Sequence, residues 1–429
     1  MLQATPTNAV QKQAFILRRR FEFIGALLVA AVIPWAGMRW IITDTTFDSA
    51  AYHNALVANA VAIFVALWVR VSVSTFPGTR AGQLIGPAIV ASHAAVISLL
   101  LLSRLPYHRP TLVAGLALHL VWAFGVHFFV QRRVRLRIAV VPFGETGQLS
   151  GIASVEWHRL DRPSLADAAA SNAIVADFSA DLPDEWEAFL ADAAVEGRVV
   201  YQVRQLQESL TGRVQVKHLS ENSFGSLAPA RAYMAIKHLV DFAWAFAMLP
   251  LALPVMAVCA VAIRMYDGAP VLFRQKRVGR AGKDIIVYKF RTMRLASDLD
   301  PEDRQAAMTG DGDVRITRLG HFLRRTRLDE LPQLWNILRG EMSFIGPRPE
   351  AHVLSSWYTS EIPFYRYRHV VRPGISGWAQ VNQGHVAEVG EVHEKLQYDF
   401  FYIKYFSPWL DLLILFRTVK TMLTGWGAR

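Results

Sequence analysis

Four apolar stretches follow one another early in the chain, at about 21–42, 56–73, 84–102 and 112–130. Each is close to the ~20 residues an α-helix needs to cross a bilayer's hydrocarbon core. No water reaches peptide groups there, so such segments are confined to helices. No short apolar region with a small-residue cleavage site precedes them, and the first is read as a retained span rather than a signal peptide. Lys12, Arg18, Arg19 and Arg20 precede the first span, and Arg132, Arg133, Arg135 and Arg137 follow the fourth. The loop after the first span holds Asp44 and Asp48 but neither Lys nor Arg. The positive-inside bias then predicts a four-span unit, 1–136, with both ends in the cytoplasm. Pro34 and His93 inside the spans are read as kink and helix-packing residues.

Composition agrees with membrane residence. Hydrophobic residues make up 52% of the 429, with 24 Phe and 12 Trp, and the net charge is +11. Such a basic balance suits an anionic membrane surface, phosphorylated substrates or nucleic acid. The arginines cluster beside acids and membrane segments rather than along a recognition helix, so nucleic acid is not expected as a partner. Cys259 is the single cysteine of the sequence, which excludes a disulfide framework or a cysteine-based metal site.

From 137 to 229 the texture changes. Short apolar runs at 138–141, 173–176 and 199–203 read as buried strands, and 183–195 as an amphipathic helix, together a small cytoplasmic α/β domain. The loop Gly144-Glu145-Thr146-Gly147 hints at phosphate binding but lacks a full GxGxxG, and a regulatory or oligomerisation module is the preferred reading. A fifth apolar run, 239–263, is also long enough to span. Its flanks are basic on both sides, with Arg231 and Lys237 before it and Arg264, Arg274, Lys276 and Arg277 after. Crossing would export a cationic half of the chain against the positive-inside bias. Pro250 and Pro254 lie mid-run, each removing a backbone donor. The expectation is a re-entrant helix-break-helix, broken at Pro254, that enters and leaves the same face and opens a third domain, 230–429.

That domain carries the candidate chemistry. Runs at 271–274 and 285–288 flank Gly279-Arg280-Ala281-Gly282, a hairpin signal. Lys289 and Arg291 sit at alternate positions of an extended stretch, able to face one phosphate-bearing ligand. Asp329 and Glu330 are adjacent between Arg324, Arg325 and Arg327 upstream and Arg348 downstream. Apolar spacing at Leu331, Leu334, Trp335 and Leu338 predicts a short helix with Asp329 as its N-cap and Gly340 as its stop. Acids at that end feel the helix dipole and stay ionised. A capped helix with solvated arginines and an acidic active site both satisfy these residues. Stretch 296–313 reads as a mobile acidic loop, and the aromatics of 398–409 as a segment at headgroup level, with core packing an equal account of some of them. A metal cluster among His385, Glu388, Glu391, His393 and Glu394 is disfavoured by its spacing.

Three linked motifs, VLFRQKRVGRAGKDIIVYKFRTM, RRTRLDELPQLWNILRGEMSFIGPRPE and RPGISGWAQVN, resemble the bacterial sugar transferases, monotopic polyprenyl-phosphate phosphoglycosyl transferases. The resemblance covers about 237–429, and the four upstream spans are similar to the long form of that family. It implies a mainly helical catalytic domain at the membrane surface, reached through a re-entrant helix. It implies transfer of a sugar 1-phosphate, glucose or galactose favoured, from a UDP-sugar to undecaprenyl phosphate, with release of UMP. Such a step initiates exopolysaccharide, capsule or O-antigen synthesis at the bacterial inner membrane, with the active site facing the cytoplasm. In the roles it implies, Asp329 is the nucleophile of an aspartyl phosphosugar intermediate and Glu330 ligates Mg2+. Lys289, Arg324 and Arg348 hold phosphates, Asp411 is a further acid linked to activity, and Arg291 is a basic residue without a sharp role. The family's break often reads Ser-Pro, whereas Leu253 precedes Pro254 here. The four spans are expected to anchor the chain or pair protomers into a homodimer.

Overall fold

The computed structural model describes residues 20–41, 49–73, 81–131, 137–152, 155–215, 229–294, 315–383 and 389–424. The chain forms two compact units, Met1–Thr211 and Gly212–Arg429. The first opens with α1 (Arg20–Met38), α2 (Ser49–Val73), α3 (Ala81–Leu102) and α4 (Arg109–Gln131). All four are long and apolar enough to cross a membrane and lie over the four predicted spans. The second starts at Ser49, earlier than predicted, because Ala55 and Ala58 pack against Leu100 and Leu112. Small residues make the contacts, with Ala30, Ala31, Ala62 and Ala66 buried, while Phe64, Trp68, Leu99 and Val121 face outward. That is the pattern expected where close helix approach, rather than escape from water, drives association.

After these helices comes a parallel sheet of β1 (Arg137–Val140), β2 (Glu156–Arg159), β3 (Ala173–Ala176) and β4 (Val200–Gln202), in the order β2-β1-β3-β4. Strand alternation divides its core. Ala139, Ile174 and Ala176 pack with Trp186, Phe189 and Leu190 of α5 (Asp184–Val195). Ile138, Val140 and Val175 pack with Val203 and Leu206 of α6 (Val203–Thr211). The unpredicted strand is β2, an edge strand of mostly exposed side chains that has no apolar run to betray it. The suspected phosphate loop is already occupied from within. The Asp177 carboxylate accepts hydrogen bonds from the Glu145 and Ser179 amides, each at 3.0 Å.

The second unit is built along α7 (Arg231–Tyr266), at ~1.5 Å per residue a rod of about 54 Å. It runs uninterrupted through Pro250 and Pro254, so the expected separation into two helical arms is not seen. Each proline removes one donor, to the carbonyls of residues 246 and 250, and a helix can bend at such gaps without unwinding. One stripe of α7 is buried along its length, at Lys237, Asp241, Ala245, Ala252, Cys259 and Ile263. Ala245 and Ala252 join Ile285, Val287, Leu334 and Ile337, while Cys259 and Ile263 join Phe290 and Leu323. The opposite face leaves Leu239, Trp244, Phe246, Leu251, Val258 and Met265 exposed.

Upon this rod sits the antiparallel hairpin β5 (Leu272–Val278) and β6 (Asp284–Phe290), where the sequence placed it. Next come α8 (Arg318–Thr326), a 3-10 turn Leu328–Gln333 and α9 (Leu334–Leu338). The buried Asn336 ties α9 to β6. It accepts from the Tyr288 amide at 3.2 Å and donates to the Ile286 carbonyl at 2.7 Å. Then β7 (Ser343–Ile345) pairs in parallel with β8 (Gly374–Ser376), with α10 (His352–Glu361) between them. The unit closes with α11 (Trp378–Asn382), α12 (Val389–Lys404) and α13 (Pro408–Thr424). It is mainly helical, as expected. Of the aromatics at 398–409, Phe400, Phe401 and Tyr402 follow the core reading. The predicted loop at 296–313 lies outside the described residues.

Candidate active site

The acid pair owes its place to a reversal of the backbone. Thr317 caps α8 by accepting from the Gly320 amide at 2.9 Å, and α8 ends at Arg327. Arg327 adopts the left-handed conformation, φ +59°, and from it the 3-10 turn departs. Asp329 is therefore not the N-cap that its spacing suggested. Arg327 holds that position, and both acids lie in the first turn with their side chains buried.

Three cations reach Glu330. On β6 the inward positions are Ile285, Val287 and then Lys289, so the alternation that builds the core also aims the lysine at the turn. Lys289 Nζ stands 3.1 Å from Glu330 Oε1, Arg348 NH2 3.0 Å from the same oxygen, and Arg327 NH1 3.8 Å. Arg348 lies between Pro347 and Pro349, and two other arginines grip the loop by its carbonyls. Arg368 donates to the Arg348 carbonyl at 2.9 Å, and Arg277 donates to that of Pro349. Arg368 is itself fixed by Asp399 at 2.7 Å and by the Tyr365 hydroxyl at 2.8 Å. Of the two arginines, Arg277 shares the inward face of the hairpin through its pairing with Ile285. Neither was singled out from sequence. Once the hairpin register is known, the Arg277–Ile285 pairing reveals the first; Arg368 had no spacing signal.

Electrostatics separates the two acids. Burial alone would raise Glu330, but Lys289, Arg348 and Arg327 override it and hold the carboxyl far below the ordinary range. For Asp329, burial and then the Glu330 charge win over the same cations, and its carboxyl is raised. Burial also brings Lys289 down to about 8, with Arg348 and Arg277 adding to it and Glu330 opposing. One acid is thus a fixed anion inside a cation cage. The other is a buried carboxyl whose Oδ1 has no hydrogen-bond partner among the described residues.

Other residues expected at the site engage elsewhere. Arg291 donates to the carbonyls of Asp267, Gly268 and Ala269, the last two at 2.8 and 2.7 Å, and so closes the end of α7. Arg324 Nε donates to Thr292 Oγ1 at 2.9 Å. Asp411 pairs with Lys237 at 2.7 Å and accepts from Tyr402 at 2.8 Å and from Tyr233, joining α13 to the start of α7. Pro254 is an exposed residue of α7. Among the described residues no group of three or more His, Cys, Asp or Glu side chains could hold a metal ion. Mg2+ asks less, since one or two carboxylates with waters and substrate phosphates suffice. The unpartnered Asp329 Oδ1 beside the Glu330 carboxylate fits that demand.

The family model described as bacterial sugar transferase matches residues 232–425. Over 408 residues, 95% of both chains, the sequence is 41% identical to UDP-N-acetylgalactosamine-undecaprenyl-phosphate N-acetylgalactosaminephosphotransferase of Aeromonas hydrophila. It is 44% identical over 172 residues to a UDP-glucose:undecaprenyl-phosphate glucose-1-phosphate transferase of Xanthomonas campestris pv. campestris, covering 40% of this chain and 35% of that one. A protein of the same name from Escherichia coli (strain K12) is 40% identical over 186 residues, 43% of this chain and 39% of that one.

Proposed function

Because this chain belongs to the bacterial sugar transferase family, we propose that it moves a sugar 1-phosphate from a UDP-sugar to undecaprenyl phosphate and releases UMP. The observation that carries the reading is the buried acid pair, one member caged by Lys289, Arg348 and Arg327 and the other left without a partner. Asp329 attacks the phosphorus that bears the sugar. The bond from that phosphorus to the bridging oxygen breaks, UMP leaves with the oxygen, and an aspartyl phosphosugar remains. An oxygen of the lipid phosphate then attacks the same phosphorus and frees Asp329. Lys289, Arg348, Arg327 and Arg277 surround the transfer with positive charge, which is the main service a protein gives to phosphoryl transfer. Mg2+ held by Glu330 would neutralise diphosphate charge.

For the donor, UDP-N-acetylgalactosamine stands first. The relative similar over 95% of both chains is named for it, whereas the two glucose enzymes match over 40% and 43% of this chain. Glucose and galactose, which the resemblance favours, stand next. Arg291, Arg324 and Asp411 are proposed to support the site through the contacts described. The chain is proposed to lie in the inner membrane with α7 re-entering the face it left. Supporting this is the stripe of α7 packed on the catalytic unit from Lys237 to Ile263. A spanning helix would leave its central ~20 residues to lipid and other spans.

The test is UMP release by the purified protein in a bilayer, with undecaprenyl phosphate and a panel of UDP-sugars. Asp329→Asn is expected to lose at least about 10³-fold in turnover and the covalent phosphosugar adduct seen by mass spectrometry. Ordinary turnover in that variant would sink the nucleophile assignment.

A further inference from the structure

We propose that Gln333 is a further catalytic residue, whose side-chain amide donates a hydrogen bond to a non-bridging oxygen of the phosphoryl group under transfer. The proposal rests on the transferase reading above. Gln333 ends the 3-10 turn that carries the acid pair. With three residues per turn, side chains three apart eclipse, so Gln333 and Glu330 share one face. Gln333 is 3% exposed, and its Nε2 is buried with no hydrogen-bond partner among the described residues. The same turn holds the unpartnered Oδ1 of Asp329, so a donor and an acceptor four residues apart both lack partners.

A buried amide without an acceptor is costly, and native folds rarely keep one unless something outside the chain completes it. Pro332 and Leu334 flank Gln333 and offer no side-chain acceptor. A ligand can supply it, and the acceptor-rich group proposed for this site is the diphosphate. A neutral amide suits the place. It aims a dipole at the oxygen where charge shifts during transfer, and it leaves the lysine and arginines to neutralise the rest. No bond to Gln333 forms or breaks.

An isosteric Gln333→Met variant gives the structural and catalytic roles opposite signs. Nε2 bonds to nothing among the described residues, so removing it is expected to leave Tm unchanged or raise it. Meanwhile kcat and the rate of adduct formation on Asp329 are expected to fall about 10²-fold, as when one preorganised donor is lost. Binding of UDP-sugar, read by calorimetry, is expected to change much less. Gln333→Glu, which sets an acceptor against the phosphate, is expected to lose more activity than Gln333→Met. Equal rates of UMP release by wild type and Gln333→Met overturn the role of Gln333 alone. So does a Met variant whose Tm falls together with its activity. Absence of UMP release by the wild-type protein overturns the transferase reading and this proposal with it.

Discussion

In the proposed mechanism, Lys289 and Asp329 limit the working pH range from opposite sides. Asp329 must lose its proton to attack, and burial with the Glu330 charge has raised its carboxyl, so activity rises with pH through that raised value. Lys289 must keep its proton to hold phosphate, and burial has brought it down to about 8, so activity is lost as pH rises through that value. The kcat/KM profile is predicted to be a bell with its upper limb near pH 8. Lys289→Arg should move that limb upward, because a guanidinium stays charged. An upper limb that ignores this substitution would remove Lys289 from the phosphate site. Asp329, Glu330, Lys289 and Arg348 were legible in sequence because charged residues crowd about short rigid elements there. Arg291 was not, although it alternates with Lys289. Alternation fixes a side chain's face only within a strand, and β6 ends at Phe290. Beyond it the chain turns Arg291 toward the end of α7. Gln333 gave no signal either, since an unfilled hydrogen bond can be seen only in three dimensions.

At the scale of elements, close backbone approach holds the arginine loop in place. Gly374 of β8 lies against Gly346, where an added Cβ would collide with the Gly346 backbone, and the Gly374 amide donates to the Pro347 carbonyl at 3.0 Å. Gly374→Ala is predicted to push the β7–β8 pair apart. The expected cost is about 1–3 kcal/mol of stability by denaturation in detergent, with Arg348 drawn away from Glu330 and turnover reduced. Unchanged stability and turnover would show that the pair tolerates the wider spacing. The places of the four early helices and the hairpin were readable because hydrophobic spacing reports period and turn residues report reversal. The left-handed Arg327 was hidden. Glycine or asparagine usually marks such a backbone, and an arginine there gives no notice of it.

For the whole molecule, the question is which face of the membrane the catalytic unit occupies. Lys283, exposed at the hairpin tip, offers a reporter once Cys259 is replaced by Ala. In that background Lys283→Cys is predicted to react with an impermeant thiol reagent in inverted vesicles and not in intact cells. Labelling of intact cells would put α7 across the bilayer. The parity of spans and the basic flanks of the fifth run are the grounds in sequence for this expected topology. The continuity of α7 through both prolines was not, because a proline's missing donor reports a weakness in a helix and not whether the helix parts there.

The grip of Arg291 on the carbonyls of Asp267, Gly268 and Ala269 has a consequence for substrate choice. It rivets the strand bearing Lys289 to the terminus of the apolar rod, so the acid pair keeps one fixed altitude above the acyl chains in the proposed topology. A phosphate carried on a lipid is presented at one altitude as well. The enzyme can then sort acceptors by elevation before it reads their chemistry, favouring a phosphate tethered at that height over the same group drifting in solution.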